Sequence, residues 1–226
     1  MCTYQDIKVQ IEQLTTSLVK IGLSSDQNFP IMRTVGKDEH EIFFKGAHHI
    51  TYALKNKYYQ EIYDIFLNER AYNIKMLDGA LIQIMYYFSG GLLSSHRLSF
   101  FPSPYLFEFQ NYPEIYDEDE IYADIISKSI VKFPIRFDYD YSQDKHIEVD
   151  HPKSHLSLGQ YKNCRIPVSS PITPYYFFQF ILRNFYYTAH GRHCCELPIY
   201  NNTFENTMTE EEKRVVYIQI PDGLVR

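Results

Sequence analysis

The chain is predicted to be an α+β protein: an antiparallel sheet with an N-terminal helical part and a C-terminal helix packed on the apolar sheet face. Three observations predict this. An apolar stripe at steps of three and four opens the chain, from Ile7 to Ile21. Strand-forming runs then follow between 80 and 168, with connections too short for parallel crossovers. A strongly apolar segment after Thr173-Pro174 closes the pattern as a helix. Helices, then strands, then a helix is the order of an α+β fold.

The first helix carries Ile7, Ile11, Leu14, Leu18 and Ile21 on one face. Thr3, with Asp6 three residues on, resembles a capping box, and Gly22 ends the helix. Residues 24–38 read as a loop broken by Ser24, Ser25, Asp26 and Pro30. A second helix is expected over 47–68, with Ile50, Leu54, Tyr58, Ile62, Ile65 and Phe66 sharing a face. A strand over 80–88 turns at Ser89-Gly90-Gly91 into a partner strand near 96–100. A short helix near 117–127 is expected next, then strands near 131–141, 153–158 and 164–168. Phe177, Phe178, Ile181, Leu182 and Phe185 line one face of the closing helix. A final strand is expected over 215–220. The whole reads as one domain: 1–70 mainly helical, 78–188 the sheet with its covering helix, and 189–226 irregular.

Composition sets limits on function. Hydrophobic residues make up 45% of the 226 and aromatics 16%, so disorder is excluded. The net charge is −6, but seven of the 28 acidic residues fall between Glu108 and Asp124 with no basic residue among them. The remainder is near neutral, which excludes a broad basic surface for duplex binding. The acidic run Asp117–Glu120 reads as a solvated segment. Cys2, Cys164, Cys194 and Cys195 form no CxxC pair, which fits reduced thiols in a cytoplasmic protein. No signal peptide or membrane span is visible.

The densest chemistry lies in 135–168. Side chains alternate faces along a strand, so Ile135, Phe137 and Tyr139 oppose Arg136, Asp138 and Asp140. Leu156 and Leu158 oppose Lys153, His155 and Ser157, and Ile166 and Val168 oppose Arg165. If the strands pair in chain order, Arg136, Asp138, Asp140, His155, Ser157 and Arg165 share one polar face. The simplest reading is the solvent face of a one-sided sheet. Against it stands the choice of Asp, His and Arg where solvent faces favour Thr, Lys and Glu. Two aspartates on one face also call for an arginine or a cation between them.

Two chemistries fit. Asp138, Asp140, His151 and His155 are acceptable ligands for Mn, Mg or Zn. Alternatively, Asp138, Asp140 and His155 act as acid or base groups, with Arg136, Ser157 and Arg165 holding phosphate. His155-Leu156-Ser157-Leu158 and His49-Ile50-Thr51-Tyr52 resemble the paired motifs of the two-histidine phosphoesterases. His96, Arg97 and Ser99 either join the polar face or close a hairpin. His190-x-x-His193-Cys194-Cys195 lacks a second ligand pair and reads as a helix end with core cysteines. No GxGxxG, P-loop or GxSxG motif is present.

The segments RFDYD, HPKSHLSLGQYKNCRIPVSSPITP and FFQFILRNFY resemble the bacterial family called domain of unknown function 2290. LDGALIQIMYYF and HRLSFFPSPYLFEFQ are similar to its earlier part, so the likeness spans 47–188. The resemblance implies a bacterial cytoplasmic protein and brings no catalytic residues with it. The lead expectation is a polar sheet face that engages or processes a phosphate-bearing ligand, a nucleic acid or nucleotide, in a defence or toxin-type system. The competing one is a non-enzymatic protein-interaction subunit that binds through acidic 114–124 and exposed tyrosines.

Overall fold

A computed structural model describes residues 2–47, 57–105, 131–161 and 163–221. The expected helix near 117–127, the acidic run, and the His49 motif lie outside them.

Helix α1 spans Tyr4–Lys20 and is capped as the sequence predicts. The Thr3 hydroxyl accepts from the Asp6 amide at 3.2 Å, and the Thr3 amide donates to the Asp6 carboxylate at 2.9 Å. Gly22 takes the left-handed conformation that ends the helix, with φ of 74°.

The segment expected as a loop holds strands instead. β1 is Ser24–Gln27, β2 is Ile31–Gly36 and β3 is Glu39–Phe43. All six residues of β2 are exposed, so it carries no alternation for a sequence pattern to reveal. Pairing alone makes it a strand. The N-terminal part is therefore mixed rather than mainly helical. The second helix, α2, covers Tyr59–Asn68 and buries Ile62, Tyr63 and Phe66. Tyr58 lies outside it at the cap and is exposed.

β4 (Ile74–Met76), β5 (Leu81–Ser89), β6 (Leu92–Phe101), β7 (Ile135–Asp140), β8 (Ser154–Leu158) and β9 (Ile166–Pro167) follow. The sheet order is β1-β4-β5-β6-β7-β8-β9, with β3 pairing to the far end of β5 and β2 to β3. Every strand pair is antiparallel. The expected strand over 215–220 is reduced to a single parallel bridge between Val168 and Ile218.

The two faces of the sheet are covered differently. On one, Ile82, Ile84, Phe88, Leu98, Phe100, Ile135, Phe137 and Leu156 pack under α1 and under α3 (Pro174–Phe185). Thr173 caps α3 through a contact from the Tyr176 amide at 3.5 Å, with Pro174 in its first turn. A short helix α4 (Tyr187–His193) continues the chain. On the other face, Leu81 and Phe101 pack under Ile62, Tyr63 and Phe66 of α2, but only at one end. Among the described residues, the rest of that face is mostly polar, with Met85 and Tyr87 among its side chains. No described helix is long and apolar enough to cross a membrane.

One expectation about cysteine, that Cys194 and Cys195 enter the core, is corrected. All four thiols are free, and Cys2 is buried. Cys194 is half-buried and Cys195 exposed, so they end a helix without entering the core.

Candidate functional site

Cross-strand register arranges the polar face in rows. The first is Gln83, Ser99, Arg136 and Ser157 on β5, β6, β7 and β8. The second is Met85, Arg97, Asp138 and His155. The third is Glu41, Tyr87, Ser95 and Asp140, on β3, β5, β6 and β7. The second and third rows, with Arg136 and Ser157 of the first, line a cavity of about 460 Å³, well within the size range of small-ligand sites. Arg136, Asp138, Asp140, His151, His155, Ser157 and Arg165 all line it. Pairing in chain order thus brings together Arg136, Asp138, Asp140, His155, Ser157 and Arg165, but not Lys153.

The charges do not all have the same freedom. Arg97 Nε donates to Asp138 Oδ1 at 2.8 Å, and Arg136 approaches the other oxygen at 3.6 Å. Burial raises the Asp138 pKa, but Arg97 and Arg136 outweigh it and hold the carboxyl below its usual range. Asp140 is held by Lys145 Nζ at 2.6 Å and by the Ser142 hydroxyl at 2.6 Å. Burial would raise its pKa too, yet these bonds keep it low. The repulsion between the two aspartates is relieved by arginine and lysine, so a cation is not needed there.

Arg136 and Arg165 remain. Burial disfavours the charge on Arg136, and Asp138 only partly offsets that. Its Nε is buried with no hydrogen-bond partner, as are Ser99 Oγ and Gln83 Oε1 in the same row. Arg165 stands just before β9 at the cavity wall. Among the described residues, the lining therefore holds two guanidinium groups without a hydrogen-bonded carboxylate, although Arg136 keeps its 3.6 Å ion pair with Asp138.

His155 is 6% exposed, on the floor beside Asp138. Its Nδ1 lies 2.9 Å from the Pro152 carbonyl, which can only accept. The proton is therefore on Nδ1, leaving the Nε2 lone pair free. Burial lowers the His155 pKa, opposed by Asp138 and the Pro152 carbonyl. His151 reaches the same place from a tight turn, closed by backbone bonds between Ile147 and His151. Val149 takes a φ of 67° within that turn. The two imidazoles meet edge to face at 5.2 Å between centroids. Burial and Arg165 hold the His151 pKa below its usual value, and the Lys145 backbone carbonyl, Asp140 and Asp138 only partly oppose them. Ser157 is 5% exposed, with its hydroxyl on the first row.

The expected metal set does not assemble in this structure. Among the described residues, no three His, Cys, Asp or Glu side chains group closely enough to hold an ion. Asp138 and Asp140 are each turned to a basic partner, and His151 and His155 contact each other. The donor set does not fit Mn, Mg or Zn.

Arg97 and Ser99 join the polar face, but His96 does not. It sits on the helix-covered face, where Nε2 accepts from the Ile172 amide at 3.1 Å. Burial pushes its pKa down to about 3. Lys153 also leaves the face, with its ammonium 5.2 Å over the Tyr141 ring. Sequence reasoning missed Tyr87, Lys145 and Tyr161 in the lining. Alternation from the Leu81–Ser89 run signals Tyr87. Lys145 and Tyr161 come from connections, where no period exists to place them.

A family model described as an uncharacterized conserved protein, DUF2290, matches residues 23–220. The chain belongs to this family. The match extends beyond 47–188 at both ends and takes in all nine strands, α2, α3 and α4. The whole DUF2290 polar face falls inside it. No curated protein and no solved structure matches the chain.

Proposed function

We propose that the polar face of this DUF2290 protein binds a phosphate-bearing ligand, a nucleic acid or nucleotide. The observation that carries the reading is the pair of guanidinium groups, Arg136 and Arg165, that line one cavity without a hydrogen-bonded carboxylate among the described residues. Arginine presents a planar fork suited to phosphate, and a bound oxyanion would satisfy donors that are costly to bury alone. Ser157 adds a buried hydroxyl beside Arg136. Tyr161 lines the same cavity and is 79% exposed, a flat surface on which a base can stack.

Calorimetric titration with inorganic phosphate, adenosine monophosphate and a short RNA tests this. Saturable binding that weakens in Arg165→Ala is expected. No binding of any of the three to the wild type would end the proposal.

One observation favours the second reading, a protein-interaction subunit. β2 pairs only with β3 among the described residues, and exposes Ile31, Met32 and Val35. An open apolar edge is a template for strand addition. Solution mass across a concentration series, with Val35→Lys as comparison, tests it. A monomer at every concentration, with no partner recovered through the wild-type edge, removes it.

A further inference from the structure

The geometry points to metal-independent cleavage of RNA, in which His155 takes a proton from a ribose 2′-hydroxyl and His151 gives one to the departing 5′-oxygen. The inference rests on the reading that this cavity holds a phosphate-bearing strand.

The assignment follows from which groups are free. A base must have an unshared lone pair facing the substrate. Asp138 and Asp140 are engaged by Arg97 and Lys145. His155 Nε2 is not, because the Pro152 carbonyl fixes the proton on the opposite nitrogen. His151 is the other proton carrier on the wall, with its ring against that of His155. Arg136 and Arg165 stand where negative charge grows on the phosphoryl oxygens.

The choice of RNA follows from the same inventory. Attack by water on a phosphodiester is slow unless something activates the water. A neighbouring hydroxyl is already placed on the phosphorus, an advantage of about 10⁵ M or more in effective concentration. Two imidazoles and two arginines suffice for that route. The 2′-oxygen forms a bond to phosphorus as its proton passes to His155 Nε2. The bond from phosphorus to the 5′-oxygen breaks as that oxygen takes the proton from His151. The products are a 2′,3′-cyclic phosphate and a free 5′-hydroxyl, with no oxidant or co-substrate consumed. Exchange with water returns both histidines to their starting forms.

The test uses the full chain, a labelled single-stranded RNA of mixed sequence and the all-deoxy strand of the same sequence, both in excess EDTA. Cleavage of the RNA alone, to fragments ending in cyclic phosphate, is expected. His155→Asn and His151→Asn should each lower the rate at saturating RNA by about 100-fold or more. Arg165→Ala should act mainly on the concentration needed for saturation. His151 lies on a partly exposed turn, so its variant keeps the test valid if the His155 variant does not fold. Binding of a 2′-O-methyl strand without cleavage of RNA would overturn the catalytic inference and leave the binding site standing. Equal cleavage of DNA, fragments ending in a 3′-hydroxyl, or full activity in His151→Asn would also overturn it. Absence of any strand binding would remove both.

Discussion

The two faces of this sheet are built from alternate residues of the same strands, yet they hold opposite kinds of side chain. On the helix-covered face, Phe137 packs at 5.3 Å from Phe180 and 6.1 Å from Phe177, edge to face in both cases. One residue away along β7, Arg136 and Asp138 face the cavity. The covered face gains from burial, and there His96 Nε2 accepts from the Ile172 amide while its Nδ1 is buried without a partner. The cavity face instead gathers charge, with Arg97, Arg136, Asp138, Asp140 and Arg165 lining one cavity. The difference teaches that the same strands bury apolar side chains on one side and gather charged ones on the other.

The comparison can be broken most severely from the covered face. Phe177→Ala removes a fully buried ring between α3 and β7 and should cost about 3–5 kcal/mol. Urea unfolding measures it, and a loss below about 1 kcal/mol would mean that this face does not hold the fold. Ligand affinity per folded molecule should be unchanged.

His96 offers a pH test. Its folded pKa, pushed by burial to about 3, lies below the unfolded value of about 6.5. The unfolded chain binds more protons between those values. Its stabilising contribution is therefore complete above about 6.5 and is lost as pH falls towards 3. The slope is about 1.4 kcal/mol per pH unit, or about 2 kcal/mol between pH 6.5 and 5. His96→Gln should flatten the stability curve over that range by that amount. Parallel curves for the two proteins would contradict it.

A change on the cavity face should do the reverse. Arg165→Ala is expected to weaken phosphate-ligand binding by about 1.5–3 kcal/mol, the value of a hydrogen bond to a charged group. Its unfolding free energy should move by less than about 0.5 kcal/mol. A large stability loss with binding intact would make Arg165 a structural residue and blur the contrast. The smallest effect is at the edge of the covered layer. Thr3→Ala removes a cap bond and should cost about 1 kcal/mol, read as a shift in the denaturant midpoint with an unchanged slope.

Much of the fold was legible in single stretches of sequence. Thr3 and Asp6 mark one helix start and Thr173-Pro174 another, because caps are local hydrogen bonds between near neighbours. The alternation of Ile135 to Asp140 is equally local, and it placed Arg136, Asp138 and Asp140 on one side. β2 was not legible, since a fully exposed strand leaves no burial pattern. The C-terminal segment was read too strongly as a strand. Val215–Ile220 has the composition of one, but only Ile218 finds a backbone partner in Val168.

The candidate site divides in the same way. The sequence by itself determined which side chains face away from the helices, because a strand's period fixes that without reference to any neighbour. The tertiary structure decided what those side chains do. Register set Arg97 opposite Asp138, a turn gave Lys145 to Asp140, and the Pro152 carbonyl fixed the proton on His155. Among the described residues no three metal-ligating side chains gather, while Arg136 and Arg165 line one cavity together. Ion pairing depends on distances across strands and turns, and a periodic pattern along one strand carries no information about them.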